Sequence, residues 1–196
     1  MDEYKLYLED QKAHSLSGAC DDKYLDYLVQ TLHPDYDYSK AKILDVGCNK
    51  FLSYDYFLDK YNNPILGICI SKDGLEEAWR NNRNALEMDA HNMNLHLIPN
   101  TYDLVISFHS FEHMYCLPTV LQNCNILLKD QGLLYFSLPI PSHNWHKKHW
   151  YDVPTIDAMN KLMEEAKFKS LHKEIIFCKI RPEQEMIGLY QKVSTL

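Results

Sequence analysis

Lys42-Ile43-Leu44-Asp45-Val46-Gly47-Cys48-Asn49-Lys50-Phe51 is the stretch on which the fold turns. Lys42 to Val46 is a short, mostly apolar run that Gly47 stops, and helix-compatible sequence follows from Leu52 to Tyr61. The alternation then repeats. Pro64 to Ile70 (PILGICI) is apolar, Ser71 is a good helix N-cap, and GLEEAWRNNRN (74–84) reads as helix. Ala85 to Met88 is a brief strand candidate and Tyr102 to Phe108 (YDLVISF) a stronger one. A helix from Leu117 to Lys129 leads to a Gln131-Gly132 turn and the strand Leu133 to Leu138. Pro154 to Lys167 is helical. Leu171 to Ile180 and Met186 to Val193 are expected as two closing strands around a Pro182 turn. Upstream, Glu3 to His14 and Asp21 to Leu32 read as helices. The second carries Leu25, Leu28, Val29 and Leu32 on one stripe and ends at His33-Pro34.

Continuous apolar strands alternating with helices predict a doubly wound, mostly parallel α/β sheet covered on both faces. The last two strands are too close in sequence for a parallel crossover, so they form an antiparallel pair. Ligands of such sheets bind at the carboxyl ends of the strands. The residues after Val46, Ile68, Met88 and Ser107 are therefore the candidate site.

The 196 residues suit a single domain, with N-terminal helices over 1–39 and an α/β core over 40–196. Only 6 are glycine, against a usage of about 7% in typical domains, while there are 13 Asn and 14 Tyr. With 20 Lys+Arg against 27 Asp+Glu the net charge is -7, and no basic cluster exceeds Lys147-Lys148. Nucleic acid is thus unlikely as the main partner. The acidic amino terminus has no apolar h-region, and no stretch is long and apolar enough to span a membrane. Six cysteines without a CxxC pair (Cys20, Cys48, Cys69, Cys116, Cys124 and Cys178) read as reduced residues of a cytoplasmic protein.

Four segments in register then carry a resemblance: ILDVGC (43–48), ILGICISKDGLEEA (65–78), EMDAHNMNL (87–95) and TYDLVISFHSFEHM (101–114). In them the chain resembles the class I S-adenosylmethionine-dependent methyltransferases, particularly the small ubiquinone and menaquinone biosynthesis group. The likeness runs from about Lys40 to Phe168 and implies a Rossmann-like methyltransferase fold, S-adenosylmethionine as cofactor and methyl transfer to a small-molecule acceptor. No GxGxxG is present, which sets a nicotinamide dehydrogenase behind this reading.

The resemblance also implies roles. Gly47 matches the first glycine of the cofactor loop, beside Cys48, and Asn49 and Phe51 stand where two further glycines are expected. Asn tolerates left-handed backbone. A benzyl group at 51 either diverts the backbone or fills the place of the cofactor's methionine part. Cys69, followed by Ile70, holds the position of a ribose-binding carboxylate, and Asp73 just beyond could replace it. Asp89 would accept from the adenine amino group or cap a turn, with Ala90 and His91 beside the ring. Asp45 would orient the methionine amine or be buried as a backbone acceptor. Ser107 and Phe108 end the fourth strand, and His109 and His113 beyond them face the reacting methyl group. His113 is either a proton acceptor or a loop-ordering residue.

Further along, His149, Trp150 and Tyr151 close a histidine-rich loop that either touches the acceptor or is solvated. Its three evenly spaced histidines lack a metal-ligand partner at familiar spacing, so no metal is expected. The departures at 49, 51 and 69 leave a second reading, a catalytically silent binding or scaffold protein of the same fold.

Overall fold

A computed structural model describes residues 2–12, 21–140, 150–177 and 184–194. Helix α1 (Glu3–Lys12) is followed by α2 (Asp21–Tyr27), which widens into a π-turn over Leu28–Leu32. That turn closes with the His33 amide on the Leu28 carbonyl at 2.8 Å, directly before Pro34. The core is then β1 (Ile43–Val46), α3 (Leu52–Tyr61), β2 (Leu66–Cys69), α4 (Lys72–Arg80), β3 (Ala85–Glu87), β4 (Tyr102–Phe108), α5 (Leu117–Leu127), β5 (Leu128–Ile140), α6 (Ile156–Glu165), β6 (Phe168–Phe177) and β7 (Gln184–Lys192). Single 3-10 turns cover Met93–Leu95 and Phe111–His113. None of the helices among the described residues is long and apolar enough to cross a membrane.

The seven strands form one sheet in the order β3-β2-β1-β4-β5-β7-β6. The first five are parallel; β7 runs antiparallel to both β5 and β6. The doubly wound sheet with its closing antiparallel pair is thus the architecture present. The Pro182 turn and the loop from 141 to 149 lie outside the described residues. Each face of the sheet carries an apolar cluster, because the inner strands contribute side chains to both. Leu44, Val46 and Val105 pack with α5 and α6; Ile43, Leu104 and Ile106 pack with α2, α3 and α4.

Two strand starts differ from expectation by three residues or more. β5 begins at Leu128 rather than Leu133, and the Gln131-Gly132 turn lies inside it as an irregularity. Tyr102 pairs with Leu128 but Leu104 with Leu133, and Gln131 takes φ 63°. β6 begins at Phe168, because Lys167 takes φ 63° and turns the chain out of α6 into the sheet. Elsewhere, Ser71 caps α4 by accepting from the Gly74 amide at 3.4 Å.

The scarcity of glycine has a structural counterpart. Eight described non-glycine residues have left-handed φ, and four of them are Asn49, Asn62, Asn82 and Asn100. Asn bears that conformation better than most side chains. The abundant residue does part of the work of the rare one.

Candidate active site

β1 and β4 lie side by side, with the chain winding outward in both directions from them, so their carboxyl ends form the crevice of the sheet. A cavity opens there. Its walls are Gly47 and Asn49 after β1, Cys69 to Ser71 after β2, Met88 to Ala90 after β3, and His109, Ser110, His113 and Met114 after β4. Tyr7 and Gln11 of α1 close it from above.

Gly47 has φ 79°, and a Cβ there would lie 1.8 Å from Ser110 Oγ, so the loop leaves no room for a side chain. Asn49 takes φ 45° and presses on α4, where a Cβ at Gly74 would be 2.8 Å from its backbone.

Phe51 takes the left-handed backbone that a glycine would adopt freely (φ 61°, ψ 47°). Its ring is fully buried and turned away from the cavity, into the cluster beneath β2. Room for it comes from Gly67: a Cβ at that position would stand 2.8 Å from Phe51 Cζ. The expectation that Phe51 borders the cofactor, its ring filling the methionine place, is therefore corrected, since the ring lies beneath β2 and off the cavity. Cys48 also lies under the loop, against Gly67.

Asp45 is 3% exposed and does not line the cavity; it accepts from the Ser53 hydroxyl. Burial pushes its pKa up to about 7. Ser107 donates to the Val46 carbonyl at 3.0 Å, tying β4 to β1, and Phe108 stacks on Tyr24. Both are behind the wall. Asp73 is exposed on α4 and does not reach the cavity, so it does not stand in for a carboxylate at Cys69. Asp103 is structural: it accepts from the Lys42 amide at 2.8 Å and from Lys129 at 2.7 Å.

Asp89 is on the wall. Its carboxylate accepts from the Tyr4 hydroxyl and from His91, through the amide at 3.0 Å and Nδ1 at 2.7 Å. The Cys116 amide donates to His91 Nε2 at 2.9 Å, which leaves Nδ1 as the protonated nitrogen facing Asp89. Burial opposes ionisation, but the bonds from His91 and Tyr4 outweigh it and hold the carboxyl below its ordinary range. Ala90 lines the cavity beside it, whereas His91 acts from behind as the support of Asp89.

At the β4 end, His109 has φ 47° and its Nε2 lies 2.9 Å from the Tyr24 hydroxyl. Tyr24 also donates to Glu185 of β7. Glu112, 2% exposed, stands 3.8 Å from His109 Nδ1 and 4.0 Å from His113 Nε2, and its Oε2 has no hydrogen-bond partner among the described residues. Burial raises its pKa to about 8. Trp150 and Tyr151 donate their amides to the Glu112 carbonyl at 3.0 and 3.2 Å; neither side chain lines the cavity. Trp150 instead packs edge-on against Tyr7. His149 lies outside the described residues.

Of the expected cofactor residues, Gly47, Asn49, Cys69, Ile70, Asp89 and Ala90 meet at the cavity with His109 and His113. Sequence reasoning missed Tyr4, Tyr7 and Gln11, and also Glu185 and Tyr24. A tyrosine pair on one face of an otherwise polar helix was the available signal for α1. The residues present fit an adenosine: Ile70, Met88 and Ala90 offer apolar surface, and ionised Asp89 offers an acceptor. The ribose wall fits less conventionally, with a thiol where a carboxylate is expected.

A family model described as a methyltransferase domain matches residues 44–136, from β1 into β5. (S)-coclaurine N-methyltransferase of Thalictrum flavum subsp. glaucum is 28% identical over 120 residues, 59% of this chain and 32% of that protein. The chain thus spans about a third of that relative's length. An S-adenosylmethionine-dependent methyltransferase structure from Archaeoglobus fulgidus aligns over 97% of this chain and 100% of its own, with a TM-score of 0.68 at 15% identity. Another, from Mesorhizobium loti, covers 85% and 97% with the same TM-score at 12% identity. At those identities the structures establish the fold. Domain match and fold coincide on the strands that build the cavity: residues 44–136 match the methyltransferase domain family, and the fold is that of S-adenosylmethionine-dependent methyltransferase structures.

Proposed function

We propose that the chain methylates a small-molecule acceptor at the cavity, with S-adenosylmethionine as methyl donor. The observation that carries this reading is the polarity of the cavity. An ionised acceptor and apolar surface for a base lie at the Asp89 end; two histidines over a buried carboxyl lie at the other. When bound, S-adenosylmethionine supplies an activated methyl group. Gly47 and Asn49 would border its methionine part, Cys69 its ribose, and Asp89, Ile70 and Ala90 its adenine.

The protein's own contribution is placement and proton handling. Holding an acceptor atom in line with a methyl group supplies much of the rate for a good nucleophile. An amine suits the β4 end, because methylating a neutral amine releases a proton that His113 or His109 can take. Glu112 stands beside both rings, 3.8 Å from His109 Nδ1 and 4.0 Å from His113 Nε2. The relative's name specifies N-methylation, which supports the same class. The silent-scaffold reading rested on the departures at 49, 51 and 69, and the burial of the Phe51 ring beneath β2 weighs against the part of it carried by Phe51.

Isothermal titration with S-adenosylhomocysteine tests the first step: one site per chain is expected. Folded protein that binds neither it nor S-adenosylmethionine at millimolar concentration overturns the reading. Formation of S-adenosylhomocysteine with a panel of small amines, phenols and thiols then tests the acceptor class.

A further inference from the structure

Cys48 and Cys69 stand at the carboxyl ends of neighbouring parallel strands. The Gly47 and Cys48 amides both donate to the Ile68 carbonyl, at 2.9 and 3.0 Å, immediately before Cys69. The two backbones are therefore one hydrogen bond apart, the neighbourhood a disulfide needs. Gly67 lets the Cys48 sulfur settle onto β2, since a Cβ there would lie 2.7 Å from it. The two thiols are in contact.

Their surroundings differ. The Cys69 sulfur adjoins the Cys48 side chain and receives the Ser71 amide at 3.2 Å and the Asn49 amide, and Cys69 lines the cavity. The Cys48 thiol donates to the Asn49 carbonyl at 3.9 Å. Cys48 lies beneath the loop, off the cavity. We propose that Cys48 and Cys69 are a reversible thiol–disulfide site in the wall of the cavity, with Cys69 the attacking sulfur and Cys48 the resolving one, oxidised by a peroxide that enters through the cavity.

The donors around Cys69 favour its thiolate and lower its pKa, whereas burial raises that of Cys48. The Cys69 thiolate attacks one oxygen of hydrogen peroxide, the O–O bond breaks, and after one proton is taken up water leaves and a sulfenic acid remains. The Cys48 sulfur then displaces that hydroxyl, giving its thiol proton to the departing water. Overall two thiols lose two electrons and two protons, and one peroxide becomes two waters. Because Cys69 lines the cavity, the reduced and oxidised forms present different walls to a ligand. The site needs no cofactor, so its chemistry stands or falls apart from methyl transfer.

The full chain treated with hydrogen peroxide under native conditions, alkylated after unfolding and mapped by mass spectrometry tests this. A linked Cys48–Cys69 peptide, lighter by two hydrogens and restored by dithiothreitol, is expected while circular dichroism remains native. In the folded, reduced protein Cys69 should alkylate about tenfold or more faster than Cys124, whose thiol burial pushes up to about 12. C48S should accumulate a dimedone-reactive sulfenic acid at Cys69. C69S should leave Cys48 unoxidised. No linked peptide before unfolding, equal alkylation of Cys69 and Cys124, or oxidation of Cys48 in C69S overturns the proposal.

Discussion

Phe51 and Cys69 are two of the three departures from the expected cofactor site, and these two fall on opposite sides of its wall. Phe51 is the larger change in chemistry, yet its ring points into the core, where Gly67 makes room. Cys69 is the smaller change, but it lines the cavity. Two carboxylates repeat the contrast. Asp45 is behind the wall, with its pKa raised to about 7 by burial; Asp89 is on it, ionised by its bonds from His91 and Tyr4. The side to which a residue turns, more than its type, decides whether it bears on stability or on ligand.

The largest effect should come from Phe51→Ala. Truncating a fully buried aromatic side chain costs about 3–5 kcal/mol in unfolding free energy, measured by denaturant titration. Affinity for S-adenosylhomocysteine should stay nearly constant in the fraction that remains folded. A gain in affinity without loss of stability would break the comparison, because it would return the ring to the cavity.

Asp45 gives the next effect through pH. Its folded pKa lies above its ordinary value, so the protein binds the extra proton and is favoured at low pH. That contribution is complete below pH 4 and is lost as pH rises to about 7, a change of about 2–4 kcal/mol. Glu112 adds the same sign with its loss ending near 8. Asp45→Asn should flatten the decline between pH 4 and 7 and leave the tail toward 8, followed as midpoint against pH. Asp89, held low, works the other way and favours the fold at neutral pH over acid. A decline that Asp45→Asn leaves unchanged would remove Asp45 from the buried set.

Gly67→Ala should cost about 1–3 kcal/mol by forcing a Cβ onto Cys48 and Phe51. In the Phe51→Ala background the penalty should shrink, because the ring it meets is gone. Additive penalties would mean that the two residues do not share the space.

These residues also mark what the sequence made legible. Apolar runs and the Ser71 cap reveal strands and helices because their causes are local. The inner strands and the candidate loops after them were readable on that ground, together with most of the wall they form. The direction of the Phe51 ring was not, because it depends on a glycine in the next strand. Tyr4 reaching Asp89, 85 residues away, and Tyr24 reaching Glu185, 161 away, are set by how terminal elements dock, which no local period encodes. The start of β5 was misplaced for a related reason. Gln131-Gly132 has turn chemistry, and pairing with β4 absorbs it as an irregularity within the strand.

Cys69→Asp has the smallest expected effect and separates the two sides most cleanly. The Asn49 and Ser71 amides already point at this position, so a carboxylate there finds donors waiting. It would also offer a ribose hydroxyl a charged acceptor in place of a weak one. A hydrogen bond to a charged group contributes about 1.5–3 kcal/mol, and desolvation beside buried Asp45 opposes part of it. A gain of roughly tenfold in S-adenosylhomocysteine affinity is therefore expected by calorimetry. Cys69→Ala, which removes the acceptor but keeps the wall, should weaken binding and move the unfolding midpoint less than Phe51→Ala. If Asp and Ala at 69 bind alike, the sulfur makes no contact with the ligand, and Cys69 joins Phe51 on the far side of the wall.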